Sequence, residues 1–117
     1  MYHGWSDQDI APRASINFYG RTLEATNAAP GNANWIRLFM VPGMGHCGGG
    51  EGPNTFDMMA ALEPWVEQGA IPERVVAAHR SEGKMDRTRP LCAYPQVARY
   101  VGTGSIDDTA NFVCKMP

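Results

Sequence analysis

The residues of this chain best equipped for chemistry lie in one glycine-rich stretch, Gly43-Met44-Gly45-His46-Cys47-Gly48-Gly49-Gly50, where an imidazole and a thiol stand side by side. The spacing of Gly43, Gly45 and Gly48 satisfies the dinucleotide pattern G-x-G-x-x-G. That site, however, needs its third glycine inside an opening helix, and Gly49, Gly50, Gly52 and Pro53 follow here. No Lys-Ser/Thr pair follows the glycines, so a Walker phosphate loop fails as well. Metal binding by His46 and Cys47, completed by His3, His79 or Asp7, lacks the paired ligands two to four residues apart that mark zinc sites. Cys47 as a nucleophile with His46 as its base suffers from adjacency, because neighbouring side chains in an irregular loop diverge and a base must lie within hydrogen-bond reach. His46 is then either a solvated loop histidine or a general base whose partners come from elsewhere in the chain.

Asp7 is the candidate partner, 39 residues earlier. In α/β-type hydrolases the triad acid sits on a loop after one strand, a helix crosses over, and the histidine sits on the loop after the next strand. The elements around Asp7 and His46 fit that order. Gly4-Trp5-Ser6-Asp7 follows what reads as a strand end. Pro12 followed by residues 13–26 reads as a helix, with Ile16, Tyr19 and Leu23 recurring on one face and proline suited to the first turn. Residues 28–34, rich in Gly, Asn and Pro, form a loop. Residues 35–41 are a near-continuous apolar run, the pattern of a parallel strand covered on both faces and stopped by Pro42. The glycine stretch therefore leaves the end of a strand as a loop over 43–53.

Beyond it the pattern predicts a second helix, capped by Thr55 and ending near Gly69, with Met58, Met59, Leu62, Trp65 and Val66 as its apolar face. Pro64 lies inside it and predicts a kink or a division, since an interior proline costs about 3 kcal/mol. Residues 74–79 read as a strand, residues 80–95 as a polar, proline-broken loop, residues 97–101 as an edge strand, and Asp107 or Asp108 as the cap of a last helical turn through Phe112. The class is α/β, in one domain over residues 1–117. With only two to three strands, such a sheet has long edges, a hazard unless another chain or segment covers them.

Composition is that of an ordinary globular chain: 117 residues, 44% apolar and 19% charged, with a formal charge of -2. No apolar run is long enough to span a bilayer, and no basic stripe suggests nucleic acid. The first residues lack the charged start and apolar stretch of an export signal. Three cysteines, Cys47, Cys92 and Cys114, cannot all pair within the chain.

Three segments carry a more specific signal: residues 2–10, YHGWSDQDI; residues 37–50, RLFMVPGMGHCGGG, with Gly52-Pro53; and residues 87–95, RTRPLCAYP. They closely resemble the C-terminal part of the tannase and feruloyl esterase family of α/β-hydrolase esterases, over nearly the whole chain. The resemblance implies a truncated C-terminal part of an α/β-hydrolase fold, with two main helices and an irregular, disulfide-linked tail. It makes His46 the general base and acid of a Ser-His-Asp triad and Asp7 the carboxylate that orients it. Asp9 is the competing carboxylate, but the family pattern of acid, aliphatic residue and nearby proline favours Asp7, with Ile10 and Pro12 following.

The resemblance further implies that Cys92 and Cys114 form a disulfide, worth about 3 kcal/mol on the loop-entropy model. It also implies that Cys47 pairs with a cysteine beside a nucleophilic serine outside this chain. The family's nucleophile elbow, oxyanion hole and calcium-holding lid domain match nothing in these residues, so no cofactor is expected here. None of Ser6, Ser15, Ser81 and Ser105 stands in a G-x-S-x-G or Cys-Ser elbow. The expectation is a catalytic pair that acts on an aromatic ester in a complete parent and is inactive alone. A disulfide-bearing parent belongs in a secreted or periplasmic setting. The alternative is a non-catalytic module derived from the same fold that self-associates through its exposed sheet edge.

Overall fold

The computed structural model describes residues 1–30 and 33–117. Two short parallel strands, β1 (Tyr2–Gly4) and β2 (Phe39–Val41), lie side by side, with Tyr2, His3 and Gly4 opposite Phe39, Met40 and Val41. The helix between them, α1 (Pro12–Ala25), starts with proline in its first turn, where a missing N–H breaks no helical bond. Its apolar face is the expected one: Tyr19 and Leu23 are buried with Ala33, Leu38 and Met40, and Ile16 packs against them. The loop foreseen over 28–34 includes residues 31 and 32, which lie outside the described residues.

Period-2 alternation along β2 sends Phe39 and Val41 to the opposite face from Met40, into a second cluster with Met44, Val75, Ala77, Leu91 and Ala93. The strand is thus covered on both faces, as its apolar run predicts. It is shorter than foreseen, starting at Phe39 rather than Trp35, because β1 offers only three residues to pair with. Within that run Arg37 is buried, and its guanidinium donates to the carbonyl oxygens of Ala33 and Ile36 and to the Glu73 carboxylate.

Helix α2 (Met59–Gln68) departs from expectation at its start. Thr55 is not its cap; the Thr55 backbone exchanges hydrogen bonds with that of Ala78. Asp57 does the capping instead, its Oδ1 accepting from the amides of Met59 (2.9 Å) and Ala60 (3.0 Å). Pro64 does not divide the helix, which runs on to a left-handed Gly69. The apolar face is only partly covered: Met58 and Ala61 pack on the second cluster, while Met59, Leu62 and Val66 are exposed.

The main correction concerns residues 80–95, foreseen as loop. Strand β3 (Arg74–Ser81) turns at Glu82-Gly83 into β4 (Lys84–Cys92), and the two pair antiparallel with a register shift at His79/Arg80. Both turn residues have positive φ, 49° and 78°, the twist of a two-residue hairpin turn. The first half of β4 is polar because the hairpin tip stands in solvent; only Pro90, Leu91 and Cys92 are buried.

Two further strands, β5 (Val97–Tyr100) and β6 (Phe112–Lys115), pair antiparallel, and β6 was not foreseen. Asp108 caps a 3-10 turn over Thr109–Asn111, one residue short of the expected end. A disulfide joins Cys92 at the end of β4 to Cys114 in β6, with 5.6 Å between their Cα atoms. Among the described residues the strands thus form three two-stranded sheets, more strands than the two to three foreseen. No described helix is long and apolar enough to cross a membrane.

Candidate active site

Asp7 and His46 leave the same ends of adjacent parallel strands, so two loops far apart in sequence emerge side by side. Trp5 donates its amide to Val41 O (2.9 Å) and Ser6 to Met44 O (3.0 Å), which fastens the first loop to the second. Gly4 makes this approach possible: a Cβ there would collide with the carbonyls of Met44 and Gly45. Met44 is fully buried in the second cluster and pins the glycine loop, so that His46, two residues on, is carried outward. The loop closes on itself through Gly45 N to Gly49 O (3.2 Å) and Gly52 N to Gly43 O (3.1 Å). At Gly50 both a φ of +90° and contact with Gly43 O demand glycine.

His46 Nδ1 lies 2.9 Å from Asp7 Oδ2, a hydrogen bond across 39 residues of sequence. The Asp7 side chain is only 3% exposed, whereas that of His46 is 42% exposed. The other carboxylate oxygen, Oδ1, accepts from the amides of Asp9 and Ile10, both at 2.9 Å. These amide bonds, Ile10 foremost, and the bond to His46 hold the Asp7 carboxyl well below the usual carboxylate range. In turn the hydrogen bond and charge of Asp7 raise the His46 imidazole above its ordinary value. Asp9, the rival acid, supports the pair through its backbone, and its charge adds a smaller upward push on His46. With Asp7 accepting at Nδ1, neutral His46 carries its proton there and keeps Nε2 as the free, basic nitrogen. The ring borders a cleft of about 470 Å³ that Ser6, Gln8, Gly45, Gly48 and Glu51 also line.

Ligand atoms of Asp7, Asp9 and His46 approach within 4.8 Å of one another. They do not fit a resident metal, because the Asp7 oxygens face amide N–H groups and an imidazole, not an open coordination site. Cys47 is an exposed free thiol with a left-handed φ of 58°. Ser6 lines the cleft, yet among the described residues no hydrogen bond joins its hydroxyl to the imidazole.

Two features escaped the sequence reading. His3 stands beside Asp7, its Nε2 3.0 Å from Oδ2. A second histidine-carboxylate pair, His79 Nδ1 to Asp86 Oδ1 at 2.7 Å, spans the β3–β4 hairpin. The signal for the second was the hairpin turn Glu82-Gly83; for the first there was only a histidine four residues before an aspartate.

Comparison with known proteins places this geometry. The chain is 47% identical to the mono(2-hydroxyethyl) terephthalate hydrolase of Piscinibacter sakaiensis over 120 residues, which covers 100% of this chain and 19% of that protein. Its fold matches the crystal structure of feruloyl esterase B from Aspergillus oryzae with a TM-score of 0.86 at 30% identity, covering 97% of this chain and 26% of the esterase. It also matches a tannin acyl hydrolase from Aspergillus niger with a TM-score of 0.70 at 28% identity, covering 99% of this chain and 22% of that structure. These structural neighbours are esterases with an α/β fold. The chain belongs to the tannase and feruloyl esterase family, whose sequence model matches residues 1–115. It spans about a fifth to a quarter of the length of these relatives.

Proposed function

We propose that residues 1–117 are a C-terminal part of an α/β-hydrolase catalytic domain and supply the acid and base of a Ser-His-Asp carboxylic-ester hydrolase. The observation that carries this reading is the hydrogen bond from His46 Nδ1 to the buried Asp7 carboxylate, with the imidazole exposed on a cleft. In the complete enzyme a serine on another segment attacks the acyl carbon of an aromatic ester, and His46 Nε2 takes its proton. Asp7 holds Nδ1–H in place and stabilises the imidazolium. His46 then returns the proton to the leaving alcohol, and water resolves the acyl-enzyme by the same relay. The relatives, a feruloyl esterase, a tannin acyl hydrolase and a mono(2-hydroxyethyl) terephthalate hydrolase, support an aromatic acyl group. Cys47, next to the base, is suited to tie this loop to the nucleophile's loop by a disulfide in an oxidising compartment.

The test replaces the corresponding segment of the Piscinibacter sakaiensis hydrolase with residues 1–117 and assays alkyl ferulates, gallates and mono(2-hydroxyethyl) terephthalate. Turnover that His46→Ala abolishes supports the reading; turnover indifferent to that change overturns it. The 117-residue chain alone is expected to show no sustained turnover, because its serines lack the elbow that presents a nucleophile.

A second reading, a self-associating module without chemistry, draws on the exposed apolar residues of α2 and the edges of three two-stranded sheets. Sedimentation of the isolated chain decides it: a folded monomer at micromolar concentration counts against association.

A further inference from the structure

We propose that His3 is a positioning residue, which clamps the turn that carries Asp7 and so keeps the carboxylate on His46. The inference rests on the reading of Asp7 and His46 as an acid–base pair, and its test separates the two.

His3 sits in β1, opposite Met40, with its side chain only 10% exposed. Its Nδ1 lies 2.7 Å from the Ser15 hydroxyl, in the first turns of α1. Its Nε2 lies 3.1 Å from the carbonyl oxygen of Ile10 and 3.0 Å from Asp7 Oδ2. With the Ser15 hydroxyl donating to Nδ1, the ring carries its proton on Nε2 and donates it to Ile10, with the carboxylate alongside. Ile10 is also the residue whose amide donates to Asp7 Oδ1. The turn is therefore held twice through one residue: its N–H grips the carboxylate and its C=O is gripped by His3.

Without His3, residues 7–10 would be held only by their own amides and by the Ser6 amide on Met44 O, and could pivot about that point. The bond from Asp7 to His46 is 2.9 Å long, and a displacement near 1 Å at such a site is enough to lose most of its effect. Ser15 fixes the ring's rotation, so the clamp is anchored in strand and helix alike. Among the described residues, the charged or titratable side chains around Asp7 and His46 are Tyr2 and His3 from β1, Asp9 from the same turn, and Cys47 and Glu51 from the glycine loop.

The experiment follows the ring signals of His46 by NMR across a pH titration of the full 117-residue chain. His3→Phe keeps the ring's bulk and removes both nitrogens; His3→Gln restores an N–H close to the Nε2 position. The expected result is a fall of about threefold in the proton affinity of His46 in His3→Phe, recovery in His3→Gln, and a smaller fall in Ser15→Ala. Amide signals of β1 and β2 stay in place throughout. Unchanged His46 titration in folded His3→Phe overturns the role of His3, while Asp7→Asn still lowers that titration. If Asp7→Asn leaves His46 unmoved, the acid–base reading itself fails. Should His3→Phe not fold, Ser15→Ala decides: no fall in His46 proton affinity overturns the proposal.

Discussion

Among the histidine-carboxylate pairs of the described residues, Asp7–His46 and His79–Asp86 are of nearly equal length and are built in opposite ways. At Asp7–His46 the acid is buried and the ring open, 3% against 42% exposed; at His79–Asp86 the ring is the more buried and the acid open, 17% against 45%. The hairpin pair is the shorter, 2.7 Å against 2.9 Å. Bond length therefore does not separate the proposed acid–base pair from the pair on the hairpin. What separates them is what grips the carboxylate and what the free nitrogen meets. Asp7 is fixed by two backbone amides and its histidine looks onto a cleft, whereas Asp86 is gripped through its side chain mainly by His79 itself. A solvated carboxylate can leave its partner at little cost, so it orients nothing.

This contrast is open to attack from several sides. The largest effect is expected in the assembled hydrolase, where His46→Ala lowers kcat by about 10^6-fold and His79→Ala changes it less than about twofold; comparable losses from both would erase the distinction. Asp7→Asn comes next, with a loss of about 10^4-fold. It also removes the upward push on His46, so the acid limb of the kcat/KM profile moves to lower pH.

The same pair has a stability signature whose sign can be worked out. His46 is raised in the folded chain, so its contribution is complete below its ordinary value of 6.5 and fades as pH rises through the raised one. Asp7 is lowered, so its contribution is complete above its ordinary value of 3.8 and fades in stronger acid. The support from the pair is therefore greatest between those two values: at higher pH the His46 part fades while that of Asp7 stays, and in stronger acid the Asp7 part fades. Denaturant midpoints measured across pH for the wild type and Asp7→Asn should diverge most in that window.

Smaller effects sharpen the comparison structurally. Breaking the disulfide with Cys92→Ala and Cys114→Ala releases a link across 22 residues and costs about 3 kcal/mol in denaturant unfolding, with the His46 titration unmoved. Gly4→Ala forces a methyl group against the Met44 and Gly45 carbonyls, costing about 1 to 3 kcal/mol. Unlike the disulfide change, it displaces the His46 ring signals.

The juxtaposition of Asp7 and His46 was legible in the sequence to the extent that topology determines it. The order of strand end, helix, apolar strand and glycine loop brings residues 7 and 46 together, because neighbouring parallel strands release their loops on the same side. The pinning by Met44 and the collision that reserves position 4 for glycine were not legible, since both depend on how two loops meet in space. Strand β4 stayed hidden for a different reason: half of it stands in solvent, so Lys84, Asp86 and Arg87 carry no apolar alternation, and only the Glu82-Gly83 turn marked it. In α2 the reverse holds. The apolar periodicity of Met59, Leu62 and Val66 is real, yet those side chains remain exposed, because periodicity tells which residues share a face and not whether anything covers it.

The parallel register of β1 and β2 has a consequence for inheritance. The backbone contacts that join the two loops, from the Gly4 approach to the Ser6 amide on Met44 O, lie within one continuous stretch of about 45 residues, and the Met44 side chain anchors that stretch on Val75, Ala77 and Leu91 of the β3–β4 hairpin. Recombination that moves this stretch together with the β3–β4 hairpin moves the proposed acid and base with their spacing already set. A nucleophile arriving on any other backbone then has one relationship to satisfy, its placement against His46 Nε2, rather than three.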